Sequence, residues 1–256
     1  MRYLLSALFL LLLAGCASKP ETKARHRDLA DFNINGNAIF SEDSIFFFDS
    51  TGHLRTDTLA IESAYFSNGS LDKFEEKDGK GILQTITHYY HHDNGLWKGW
   101  STYKEGKLQD SLSITLDSTG KYQYGYNYDS SRQLIQTYKE LVTNEYDLLA
   151  SGRVYKPDGK LKLSFSSTYE GRFPISEVQL DSAGKETSRT SIKLNKQGEP
   201  ELETVVKYKD DKATTTVTRF EYDKPDAENN WTLQKAFNEA GRQTKEIHRH
   251  LKYAEK

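Results

Sequence analysis

The sequence predicts an all-β fold, a repetitive antiparallel β-meander that is curled or barrel-like, and three observations carry that prediction. Tyr122, Tyr124, Tyr126 and Tyr128 recur at a spacing of two. On a strand this puts all four rings on one face, whereas a helix would scatter them. The turn just before them, Asp117-Ser118-Thr119-Gly120, joins side chains that accept backbone N–H bonds to a glycine free to take positive φ. Turns of this composition return between about 45 and 253, in the second half at intervals of roughly 12–14 residues, one strand plus one turn.

The amino terminus stands outside that pattern. Arg2 supplies a short positive region, and residues 3–13 form an apolar run too short to serve as a final membrane span. The run ends on Leu13-Ala14-Gly15-Cys16, and Cys16 is the only cysteine among 256 residues. This segment resembles the bacterial lipoprotein signal, in which the cysteine is acylated and becomes the first residue of the mature chain. The resemblance implies a signal peptide over 1–15, lipidation of Cys16 with palmitate-like chains, and a membrane partner reached through that anchor. It also implies the outer membrane, because Ala17 and Ser18 follow the cysteine where Asp would favour inner-membrane retention. The periplasmic or cell-surface face stays open. Each buried CH₂ contributes about 0.8 kcal/mol, so two or more acyl chains hold stably where one is marginal. With its single cysteine so used, the chain has no thiol left for an intrachain disulfide. Residues 16–28 read as a flexible lipidated tether containing Arg25-His26-Arg27, and 29–256 as the β-hairpin domain.

Composition narrows the function classes. A net charge of −2 gives no electrostatic footprint for nucleic acid. Sixteen Tyr and twelve Phe against five Pro favour β structure over disorder.

Along the domain, Asp49-Ser50-Thr51-Gly52, Ser67-Asn68-Gly69-Ser70, Asp93-Asn94-Gly95-Leu96 and Lys104-Glu105-Gly106-Lys107 mark the first turns. After the tyrosine strand come Asp129-Ser130-Ser131-Arg132, Lys156-Pro157-Asp158-Gly159, Asp181-Ser182-Ala183-Gly184, Asn195-Lys196-Gln197-Gly198, Lys209-Asp210-Asp211-Lys212 and Asn238-Glu239-Ala240-Gly241. Between turns, apolar and polar residues alternate: Leu112, Ile114 and Leu116 against Ser111, Ser113 and Thr115; then Leu161, Leu163 and Phe165; and at the end Ile247, Leu251 and Tyr253. One side of the sheet is thereby aromatic and the other wet. Sheets beyond about ten strands curl or split, so the aromatic face, the tyrosine row included, is expected inside. Lys and Glu interrupt both faces of many strands, which disfavours a transmembrane barrel.

Two repeat families enter at this point. Tyr89-Tyr90-His91-His92-Asp93-Asn94-Gly95-Leu96-Trp97-Lys98-Gly99-Trp100, with Tyr103-Lys104-Glu105-Gly106-Lys107-Leu108 after it, resembles the MORN-variant repeat. Tyr128-Asp129-Ser130-Ser131-Arg132-Gln133-Leu134 and Tyr155-Lys156-Pro157-Asp158-Gly159-Lys160-Leu161 resemble the YD repeat of Rhs-type proteins, except that Arg132 stands where glycine is expected. Both resemblances imply β-hairpin shells and binding surfaces rather than a reaction.

Candidate sites are few. His88 and His92, with His91 and Asp93 beside them, are the candidate metal ligands; the competing reading is a hydrophilic strand end running into a turn. His248 and His250 share what reads as an exposed polar face. Trp97 and Trp100, three apart, should fall on opposite faces, one in the core and one exposed as a ligand-binding ring. No nucleophile elbow, phosphate loop or paired metal motif is present, so the chain reads as a non-enzyme without a cofactor. The functional expectation is an envelope lipoprotein acting as a structural or binding module towards a protein or glycan. The alternatives are a lipid carrier with an apolar cavity inside the curled sheet, and an immunity or antitoxin-like partner.

Overall fold

The computed structural model describes residues 28–254 apart from positions 33 and 211; the leader, Cys16 and the tether before 28 lie outside the described residues. A one-turn helix α1 (Asp28–Asp31) precedes sixteen strands. They are β1 (Ala38–Phe48), β2 (Leu54–Ser67), β3 (Ser70–Asp78), β4 (Leu83–His91), β5 (Trp97–Lys104), β6 (Lys107–Leu116), β7 (Tyr122–Asp129) and β8 (Leu134–Thr143). The second half continues with β9 (Leu149–Tyr155), β10 (Leu161–Glu170), β11 (Phe173–Asp181), β12 (Glu186–Leu194), β13 (Pro200–Lys209), β14 (Lys212–Pro225), β15 (Trp231–Asn238) and β16 (Gln243–Tyr253). Each strand pairs antiparallel with its neighbour in sequence, and β1 pairs with β16 to close a barrel. The expected meander is therefore a complete one, and closure removes the edges that an open sheet would expose.

The hairpins share one mechanism. In the turn after β6, Asp117 Oδ1 accepts from the backbone N–H groups of Thr119 and Lys121 at 2.8 and 3.0 Å. Asp117 and Lys121 close the loop through their backbones, and Gly120 sits at φ 82°. The same two-bond cap is made by Asp49, Asp129, Asn144, Asp181, Asn195 and Asp226. The left-handed residue of a three-residue hairpin loop favours glycine. Arg132, which takes that place after β7, is held at φ 61°. Arg132→Gly is therefore expected to stabilise the barrel by roughly 0.5–1 kcal/mol, relief of the Cβ clash outweighing the added freedom of the unfolded chain; a denaturant midpoint that falls would refute it.

Two sets of residues define the inner face. Asp43 lies opposite Arg249 and Ile45 opposite Ile247 on the β1–β16 ladder. Across β2 and β3, the same row continues through Glu62 and Glu76. Followed round the barrel, it includes Tyr89, Trp100, Leu112 and Asn127. Tyr126 pairs with Ser113 and Tyr124 with Thr115, on the opposite face. The expectation of an aromatic interior is thus corrected: Tyr124, Tyr126 and Tyr128 line the outer wall, while Gly125 and Asn127 point inward, Asn127 being only 1% exposed. Tyr122 leaves the row because the register shifts between Thr115 and Leu116. Aromatic rings occupy both surfaces because long basic side chains cover the outer ones. Lys73 lies 3.9 Å from the centre of the Tyr65 ring, Arg219 4.6 Å from Phe237, and Lys252 4.9 Å from Phe40, a cation–π arrangement that also shields the ring from water.

Candidate functional site

The chain entering β1 folds back into one end of the barrel and packs against the inner face of β2–β4 and β16. Leu29, Ile34 and Phe32 pack with Ala64, Phe66, Leu71, Phe74 and Tyr89 of the inner wall. Burial of such apolar surface, at roughly 25 cal/mol per Å², supplies the adhesion. Polar bonds fix the register. Asp28 is 1% exposed; its carboxylate accepts from the Leu71 N–H, from Trp97 Nε1 at 3.0 Å, and meets His91 Nε2 at 3.0 Å. At the other side of the plug, Asn230 accepts from the Asn35 N–H at 2.6 Å and donates to the Asn35 carbonyl at 3.1 Å. Asn230 also donates to the Tyr253 hydroxyl, which in turn donates to Asp226.

Arg249 joins plug and wall. Its guanidinium grips Asp43 through two bonds of 2.9 and 2.8 Å, donates to the Phe32 carbonyl at 3.4 Å, and lies 3.8 Å from the centre of the Trp231 ring. Asp43, Glu62 and Glu76 stand side by side on three adjacent strands, so three carboxylates face the cations of Arg249 and Lys245 on β16. Removal from water pushes the Glu62 carboxyl up to about 7, with the charges of Asp43 and Glu76 adding and Lys245 and Arg249 opposing. Burial also raises Glu177, Glu199 and Glu203. The lumen is therefore polar and acidic.

The sequence candidates fall elsewhere. His88 is on the outer wall with its ring 6.0 Å from that of Tyr103, while His92 reaches the Ile114 carbonyl at 3.1 Å. These two do not converge, and Asp93 is exposed in the turn. Their neighbour His91 is instead bound to the buried Asp28. Among the described residues, no three His, Cys, Asp or Glu side chains gather as a metal site. His248 is exposed on the outer wall, bonded to Glu246 at 2.6 Å. Trp97 and Trp100 do not split between core and solvent. Trp97 binds Asp28 and Trp100 stands opposite the inward Tyr89. Gly99, at φ 141°, and the register shift between Tyr90 and His91 break the alternation. A Cβ at Gly99 would lie 1.9 Å from the Leu112 carbonyl oxygen, so no other residue fits there.

Asp28, Glu62, Asn230 and Arg249 were not distinguished by spacing. The one signal available was Glu62 between Ala60 and Ala64, an acid on a row of small apolar residues.

No protein-family model matches the chain, and no curated protein matches it. Solved structures do resemble it. A porin-like protein from Bacteroides uniformis aligns with a TM-score of 0.54 at 13% identity, over 85% of this chain and 98% of that one. A porin-like protein from Bacteroides vulgatus aligns with a TM-score of 0.35 at 10% identity, over 82% of this chain and 97% of that one. The Photorhabdus luminescens Tc holotoxin pore aligns with a TM-score of 0.29 at 14% identity, over 93% of this chain and 14% of that one. The first likeness establishes a shared barrel fold; the other two carry no argument.

Proposed function

We propose that the chain is a lipid-anchored outer-membrane-associated β-barrel that stands in water beside the bilayer and serves the envelope as a binding or structural module, without catalysis. The observation that carries this reading is the charge on the outer wall. Lys73, Glu75 and Lys77 form a triplet on β3, with contacts of 2.8 and 3.3 Å. Arg153 pairs with Glu140 at 3.2 Å, Arg219 with Glu221, and His248 with Glu246 at 2.6 Å. Arg219 and Glu221 lie mid-strand on β14 and His248 mid-strand on β16, while Arg153 and Glu140 are on β9 and β8 and Lys77 is near the end of β3. In a spanning barrel each Arg or Lys at the bilayer midplane would cost about 2–4 kcal/mol. A wall facing water, held to the membrane through Cys16, avoids that cost. The polar lumen argues against an acyl-chain carrier, since Glu62, Asp43 and Arg249 occupy the space an aliphatic tail would need. The partner is a protein or a glycan, reached from the outer wall or the free mouth.

Fractionation of cells expressing the full chain and a Cys16→Ser variant tests the anchor. The wild-type chain should enter the membrane fraction, label with palmitate and leave the membrane only with detergent. The variant should be recovered without detergent as a folded, β-rich protein. A variant that still needs detergent would mean that the barrel itself sits in lipid.

A further inference from the structure

At a different part of the lumen, away from the plug, a polar chain runs inward from the wall. Lys162 Nζ donates to Gln136 Oε1 at 3.0 Å, and Gln136 Nε2 donates to the Tyr138 hydroxyl. Asn127 and Tyr138 share the inner face of the next strands, and on the neighbouring strand Asp110 stands opposite Thr102. The chain ends on two oxygens without a partner, Asp110 Oδ1 and Asn127 Oδ1, both shut off from solvent. Asn127 as a whole is 1% exposed. The ladder places Asp110 opposite Thr102 and Asn127 opposite Leu112, on the inner face of adjacent strands. The two are diagonal neighbours, with Cα atoms roughly 7–8 Å apart, close enough for both side chains to reach one atom between them.

Buried acceptors are almost always satisfied, so an orphan pair calls for a specific occupant. Asp110 is half-buried with Oδ1 shut off from solvent, has no ion-pair partner among the described residues, and stands across the ladder from a second carboxylate, Asp129, so a countercharge is favoured there. Lys162 ends on Gln136 and is spent there. Carboxylate, amide, phenol and hydroxyl oxygens are hard donors that suit Ca²⁺-type ions rather than Zn²⁺ or copper. We infer that Asp110 and Asn127, backed by Thr102 and Tyr138, hold a hard metal cation inside the barrel, with Ca²⁺ the best-matched size and charge. One carboxylate places the affinity in the weak extracellular range, a Kd of about 10⁻⁴–10⁻³ M.

Calorimetric titration of the full chain in detergent with CaCl₂, after exhaustive chelation, tests the site directly. One equivalent should bind, and Tm should rise by roughly 3–6 °C at ten times the Kd, with NaCl at equal ionic strength giving no such shift. Asp110→Asn and Asn127→Ala should each weaken binding at least tenfold. The absence of heat and of a Tm shift in the wild-type chain would overturn the inference, as would binding left intact in folded Asp110→Asn. If neither variant folds, the wild-type stoichiometry decides: a value other than one site refutes it.

Discussion

Glu62→Gln is expected to make the protein more stable at pH 8 and to leave it unchanged at pH 4. The Glu62 carboxyl is raised from 4.5 to about 7 by its removal from water and by the neighbouring Asp43 and Glu76. A raised acid binds its proton more tightly in the folded barrel than in the unfolded chain. Its protonated form therefore favours folding below about 4.5; between 4.5 and about 7 the unfolded chain ionises first, and stability falls as pH rises through that window. Above about 7 the full penalty is in place. Each pKa unit corresponds to about 1.4 kcal/mol, so the window bounds the penalty at about 3 kcal/mol. Partial water access within the lumen lowers the expectation to about 1–3 kcal/mol. Glutamine keeps the shape and removes the charge. Tm measured by circular dichroism should rise by roughly 3–10 °C at pH 8, with the two proteins converging at pH 4. A gain that is the same at both pH values would show that charge is not the cause.

The parts of the fold that were legible in the sequence are those set by neighbours in the chain. Asp117, Gly120 and Lys121 close their turn with local bonds, and the two-residue period of Tyr124 and Tyr126 is a property of one strand. Sidedness is different in kind. Alternation divides a strand into two faces but does not say which becomes concave, and on β7 the small face, Gly125 and Asn127, turned inward where the ring of an aromatic would have no room. A Cβ on Gly125 would already lie 3.2 Å from the Tyr138 side chain. Parity also fails across bulges, which is why Tyr122 departs from its row and why Trp97 and Trp100 share the lumen. The plug was beyond reach because its partners are remote: Asn35 and Asn230 are separated by 195 positions, and Phe32 and Arg249 by 217. Nothing in the local composition of 28–37 says that it folds back into a barrel closed by the far end of the chain.

The plug gives the second large expectation. Arg249→Ala should destabilise the protein by about 3–5 kcal/mol, because breaking a buried pair leaves an uncompensated charge. The guanidinium is 8% exposed and Asp43 16%, so water cannot replace the lost bonds. Asp43 would then face Glu62 without its paired guanidinium, Lys245 being the remaining cation, and the Phe32 carbonyl and the Trp231 ring would lose their cover. Charge and packing contributions are separable. Arg249→Met with Asp43→Asn keeps most of the volume and removes both charges, so it should recover at least half of the lost stability if electrostatics dominates. Urea midpoints measure this directly. Proteolysis under native conditions adds the structural readout: in Arg249→Ala, cleavage should appear first within 28–37, before any strand is cut, because the segment then loses its tie to the β1–β16 wall and keeps only its apolar packing and the Asp28 and Asn230 bonds. Global cleavage with no early plug product would mean that Arg249 supports the wall rather than the latch, and that the plug and barrel unfold as one unit.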